Sequence, residues 1–131
     1  MSQSIFDIAG SAMRAQTIRL NTTASNLANA NNVAGSAEEA YRARHPVFAA
    51  MLKGEIGGVG MRGIVESARE PEKRYEPGHP LADEDGYIFG SNVDQMEEMA
   101  NMMSATRSYQ SNTDMLTSVR QLMLQTLKMS E

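Results

Sequence analysis

Apolar residues fall at intervals of seven near both ends of the chain. At the N-terminal end Phe6, Met13, Leu20 and Leu27 form one heptad position, with Ala9, Gln16, Thr23 and Ala30 as its companion. At the C-terminal end Met102, Tyr109, Leu116 and Met123 repeat the spacing, with Ala105, Asn112 and Val119 beside them. Such a pattern turns one narrow stripe of a helix toward a partner helix, as in a coiled-coil seam. It predicts a first helix from Ser4 to Leu27, opened by a capping-box-like Ser4/Asp7 pair. It predicts a second from Asn92 to Lys128, opened by Ser91/Asp94, with Glu97 and Glu98 at the positive end of the helix dipole and Arg120 and Lys128 at the negative end. No Gly or Pro follows Gly90, so the second helix would run about 55 Å. A compact globule of this length has a radius of gyration of only about 14 Å.

The middle differs in kind. Residues 54–90 hold eight of the ten glycines and three of the four prolines. Short strand-like runs, Gly63 to Ser67 and Tyr87 to Phe89, stand between turn signals such as Pro77-Gly78 and Asp85-Gly86. Two to four strands are expected. The division that follows is a discontinuous helical unit, residues 1–36 with 91–131, around a small β-rich unit, residues 37–90. The fold class is mainly α with a β-rich insertion, the helices forming a coiled-coil-like bundle in an open helical assembly.

Between the first seam and the middle lies TTASNLANANNVAG, residues 22–35, with Asn26, Asn29, Asn31 and Asn32 close together. Asparagine competes for nearby backbone groups and tolerates the left-handed region. Asn26, Asn29 and Asn31 are therefore expected to build the turn that closes the helix and turns the chain toward the β unit.

Composition narrows the chemistry. Aromatics are 5% of 131 residues, with no Trp, so each end lacks the bulky side chains that would complete a core by themselves. The seams also have polar gaps at Gln16, Thr23 and Asn112. Both ends are thus expected to become fully ordered only against other chains. A net charge of −4 and a pI near 5.2 argue against a nucleic-acid surface. No apolar run spans a bilayer. The start of the chain lacks the form of a cleavable secretory signal, and the absence of cysteine removes disulfide and thiol chemistry.

Three local motifs carry less than they suggest. Gly58-Val59-Gly60-Met61-Arg62-Gly63 has the G-x-G-x-x-G form, but a short β-branched run halted by Pro71 follows it, and no helix opens to receive a pyrophosphate. His45 and His79 each precede a proline and lack partners at zinc-ligand spacing. Asp83-Glu84-Asp85-Gly86 lacks the spaced ligands of a calcium loop and reads as an acidic turn. No catalytic, cofactor or metal residues are expected. Seven methionines between Met96 and Met129 suit a surface that repacks against several similar partners.

Four segments carry a resemblance to a known family. They are Ser25 to Asn31, Tyr41 to Phe48, Tyr75 to Tyr87, and Asn92-Val93-Asp94 continuing through Met99 to Asn112. In that order they resemble the bacterial flagellar axial rod and hook family, most closely its C-type proximal-rod branch. Ser91 stands where that family often has proline, and the tail Lys128 to Glu131 is atypical. The resemblance implies a structural, non-enzymatic subunit of the proximal rod that transmits torque. The seam residues Phe6, Met13, Leu20, Leu27, Met102, Tyr109, Leu116, Val119 and Met123 would meet neighbouring subunits. It implies rod partners of the B-, F- and G-types, the rod–MS-ring junction protein and the MS ring. It also implies passage through the flagellar type III export apparatus to a periplasmic site, without a cleaved signal and without membrane insertion. The competing reading, from the residues alone, is a soluble helical adaptor or export chaperone, which would need no β unit.

Overall fold

The computed structural model describes residues 2–53 and 56–130; Gly54, where the turn-rich middle begins, and Glu131 of the tail lie outside the described residues. Two long helices, α1 (Ser2–Ala28) and α2 (Gln95–Met129), enclose five strands in sequence: β1 (Val33–Ala34), β2 (Arg44–Lys53), β3 (Ile56–Glu66), β4 (Lys73–Tyr75) and β5 (Tyr87–Gly90). The architecture is mainly helical with a β insertion. At 27 and 35 residues the helices are about 40 and about 52 Å long.

The helices pair antiparallel. Asn31 just past the end of α1 meets Gln95 at the start of α2, Arg19 meets Asn101 and Ser104, and Ile5 lies against the last turns of α2. A two-stranded hairpin of β2 and β3 also runs along α1. A separate three-stranded antiparallel sheet, ordered β1-β5-β4, sits where α1 ends and α2 begins. Its core is Ile88 on the central strand β5, fully buried beside a β4 that exposes Lys73 and Tyr75.

Four expectations change. Helix α1 starts at Ser2, so Ser4 stands inside it and the Ser4/Asp7 pair does not cap its start. Helix α2 starts at Gln95 and not Asn92, with Asp94 as its N-cap; the Asp94 carboxylate accepts from the Met96 and Glu97 N–H groups at 3.0 and 3.3 Å. Ser91 instead donates its hydroxyl to the Ala30 carbonyl at 2.6 Å, tying the two helix ends together. The Gly63–Ser67 run is only the end of an eleven-residue strand, which stops at Glu66, and beyond the four strands of residues 37–90 a fifth, Val33–Ala34, pairs with Phe89 and Gly90.

The heptad seams are shared differently between core and surface than their residue types suggest. The companion position is the buried one: Ala9 and Thr23 are almost wholly enclosed, as is Ala105 on α2. Leu20, Leu27 and Met13 are half-buried flanks, and Phe6 is exposed. The reason is geometric. Helix α1 is packed on two sides, by α2 and by the hairpin, and small side chains at the contact let both come close.

Candidate functional site: the paired terminal helices and their junction

Asn26 is fully buried in the last turn of α1. Its Nδ2 donates to the Arg44 carbonyl at 2.8 Å, while its Oδ1 accepts from the Arg44 N–H at 3.0 Å and from the Tyr41 hydroxyl at 2.8 Å. The short amide thus acts as one more strand residue, pairing both ways with the start of β2. Asn29 donates back to the Ser25 carbonyl at 2.8 Å, and Asn31 accepts from Gln95 at 3.0 Å. Among the described residues no non-glycine adopts a positive φ, so the asparagines work through hydrogen bonds and not through left-handed backbone.

A second buried amide does the same work on the far side. Asn92 Oδ1 accepts from the Ala43 N–H at 2.6 Å, and its Nδ2 donates to the Ser67 and Arg69 carbonyls at 3.2 and 2.8 Å. Its importance is invisible to pattern reading, because its partners are 23 to 49 residues away. Two amides therefore clamp the base of the hairpin between the end of α1 and the start of α2, satisfying backbone groups that leave regular structure there.

Next to this clamp lies an unusual buried charge. Glu98 is about 1% exposed; its Oε1 sits 4.0 Å from His45 Nδ1, and its Oε2 has no partner. Sequence alone placed Glu98 at the positive end of the α2 dipole. It is buried because residue 98 shares the α2 face of Ala105, seven residues on, that packs toward α1. A pocket of about 240 Å³ opens beside it, lined by Gln16, Arg19, Thr23, His45, Phe48 and Asn101.

At the opposite end of the molecule, Ile5 with Val119, Leu122, Met123, Thr126 and Leu127 line an open, largely apolar groove of about 530 Å³. Of the other seam residues, Met102 and Leu116 are half-buried and Tyr109 is exposed. Leu122, Leu124, Leu127 and Met129 are exposed too, although large and apolar. A helix end that is greasy on several sides has more apolar surface than one neighbouring helix can cover.

The remaining motifs have local structural work. Gly58 to Gly63 lies wholly within β3. There Ser11 Oγ accepts from the Val59 N–H at 3.0 Å, and a Cβ on Gly58 would stand 3.2 Å from that hydroxyl. The glycine lets the strand lie directly on α1. The Asp83 carboxylate accepts from the Asp85 and Tyr87 N–H groups, and Gly86 turns the chain at φ +86°. His79 Nδ1 accepts from the Leu81 N–H at 3.0 Å. Among the described residues no cluster of three or more His, Cys, Asp or Glu is placed to hold a metal ion, and no helix is long and apolar enough to cross a membrane.

Comparison with known proteins fits this layout end to end. Residues 6–35, α1 and its turn, match the family model for the flagella basal body rod protein, and residues 84–129, β5 and α2, match that for the flagellar basal body rod FlgEFG protein C-terminal region. The flagellar basal-body rod protein FlgC of Salmonella typhimurium is 49% identical over 129 residues, covering 97% of this chain and 96% of that protein. The chain belongs to the flagellar basal-body rod protein family. The FlgC proteins of Yersinia enterocolitica and of Buchnera aphidicola from Acyrthosiphon pisum are 46% and 39% identical, each over 97% of this chain and 96% of the relative. As a member of the rod family it is a structural subunit of the flagellar basal body, part of a rod assembly with other rod proteins, and not an enzyme. The two family models cover the two helices that the fold brings side by side, and leave the hairpin between them unmatched.

Proposed function

We propose that this subunit sits in the proximal part of the rod and carries torque from the motor toward the hook. The observation that supports this most directly is the pair of long helices, about 40 and about 52 Å, whose apolar side chains outnumber what the rest of the chain can bury. Stiffness in such a tube comes from many interlocked helices and from no single strong bond. Heterologous contacts that do not close generate an open helical assembly.

The terminal helices, residues 1–36 with 91–131, form a coiled-coil-like inner layer, and the β unit, residues 37–90, packs outside it. Phe6, Met13, Leu20, Leu27, Met102, Tyr109, Leu116, Val119 and Met123 contribute to subunit contacts, and Asn26, Asn29 and Asn31 hold the turn between the layers. The neighbours are rod proteins of the B-, F- and G-types, with the rod–MS-ring junction protein and the MS ring below. The chain reaches its periplasmic position through the flagellar type III export apparatus, and a chain without cysteines threads with no disulfide to obstruct it.

The test is fractionation with a mutant. The wild-type chain should co-purify with detergent-resistant basal bodies, and Leu116→Asp should leave cells non-motile with the chain absent from that fraction. Normal motility with Leu116→Asp, or a wild-type chain found only in the soluble fraction, would end the reading.

A further inference from the structure

The hairpin is tied firmly at its base and lightly beyond it. At the base Arg44 exchanges two bonds with the buried amide of Asn26, and the Ala43 N–H donates to Asn92. The Ser67 N–H closes the base by donating to the Ala43 carbonyl at 2.8 Å. Farther out, no described residue of 44–66 is buried. Leu52 is 83% exposed and Met51 60%. A two-stranded ribbon with no buried face is marginal by itself. Strand β3 also contains Gly57, Gly58, Gly60 and Gly63, which contribute no side chain to packing.

Among the described residues, the one hydrogen bond from residues 48–61 to α1 is that of the Val59 N–H to Ser11 Oγ, at 3.0 Å. Val59 pairs with Ala50. From Arg44 to Ala50 the strand spans about 20 Å, and from Asn26 to Ser11 the helix spans about 22 Å. The hairpin therefore lies along α1 and is held at two points that far apart. Between those points Pro46 and Phe48 face Gln16, Arg19 and Thr23 across the cavity of about 240 Å³. The pairing is irregular in the same stretch. Val47 is opposite Gly63 but Phe48 is opposite Met61, which leaves Arg62 as the extra residue of a bulge. A bulge bends the ribbon and interrupts its ladder. Gly63 beside it has φ +157°, a backbone angle that favours glycine.

We propose that the outer half of the hairpin, residues 48–52 with 57–61, is a strap that opens from α1 as a unit. It is hinged at the bulge and latched at Ser11. Exposed backbone bonds with few apolar contacts are where a fold opens locally, and here they coincide between a doubly clamped base and a single latch. Opened, the strap uncovers the Ser11 side of α1 and gives the subunit a second shape, with its base and its helix pair unchanged.

The geometry of the latch supplies the test. The chain has no cysteine, and a Cβ on Gly58 would stand 3.6 Å from the Ser11 Cβ, within the range of a disulfide. Ser11→Cys with Gly58→Cys thus gives one polypeptide whose strap is tied when oxidised and released when reduced. Hydrogen exchange of the free wild-type chain should show the cross-strand amides of residues 48–52 and 57–61 exchanging at least tenfold faster than those of Ala43, Arg44 and Ser67. Oxidation of the double-cysteine chain should abolish that difference, and reduction should restore it. Ser11→Ala, which removes the latch bond, should speed exchange in the outer half about fivefold. An outer half that exchanges as slowly as the base, a difference that survives oxidation, or no response to Ser11→Ala each overturns the strap. Failure of the disulfide to form overturns the seating on Ser11, and an unprotected α1 in the free chain leaves no surface to latch on and overturns it as well. None of these outcomes bears on the rod reading, which fractionation decides.

Discussion

Asn26 and Arg44 exchange two hydrogen bonds, the side-chain amide of one pairing with the backbone N–H and carbonyl of the other at 3.0 and 2.8 Å. This joins the last turn of α1 to the first residue of the hairpin, and Tyr41 completes the buried amide from a third direction. On the α1 side the junction that orients helix against hairpin therefore centres on this side chain, as it does on Asn92 on the α2 side.

Asn26→Ala removes all three bonds and leaves their partners in a closed site. The expected loss is about 3 kcal/mol, at about 1 kcal/mol for each bond, read by urea unfolding. Asn32→Ala, at an exposed position, should stay within about 0.5 kcal/mol of wild type. Equal losses at the two positions would contradict the clamp.

Glu98 is buried with one carboxylate oxygen unpartnered and His45 at 4.0 Å from the other. Breaking up a buried charge usually costs only when it strands a partner. Glu98→Gln keeps the shape and should leave stability unchanged or raise it by up to about 2 kcal/mol. His45→Ala should destabilise the wild type more than it destabilises the Glu98→Gln chain. A thermal denaturation cycle over the four proteins reads both, and a loss above about 1 kcal/mol for Glu98→Gln would mean that attraction to His45 outweighs desolvation.

Gly58 brings β3 onto α1 at Ser11, where an added Cβ would be 3.2 Å from the hydroxyl. Gly58→Val should destabilise by about 2 kcal/mol through overpacking. Ser11→Ala alone loses the bond to the Val59 N–H, about 1 kcal/mol. Together they should cost less than the sum, because the smaller residue relieves the crowding; strict additivity would place the strand elsewhere.

Gly86 sits at φ +86°, and a Cβ there would come 2.9 Å from the Tyr75 ring and 3.1 Å from Pro77. Gly86→Ala should therefore cost about 2 kcal/mol. Gly78→Ala, with open space around it, should cost less than about 0.5 kcal/mol. Melting temperatures of the two variants decide it.

The two helices, the turn-rich middle between them and the heptad spacing were all legible in the chain, because they depend on periodicity and on Gly and Pro punctuation within a few residues. The helix boundaries were less so: Asp94, not Ser91, caps α2, since Ser91 is drawn off to the Ala30 carbonyl 61 residues away. Burial was the least legible. Glu98 reads only as a partner of the helix dipole and is enclosed, whereas the heptad residues Phe6 and Tyr109 are exposed and the smaller companions Ala9 and Ala105 are buried.

Sequence by itself determined that this protein is two long amphipathic helices around a small β unit, because local spacing sets helix faces and turn chemistry sets where they stop. Only the tertiary structure decided which of those faces is inside. Helix α1 is covered on two sides, by α2 and by a hairpin whose pairing register depends on contacts far apart in the chain. That arrangement buries the small residues Ala9, Thr23 and Ala105 and leaves the larger apolar ones turned outward.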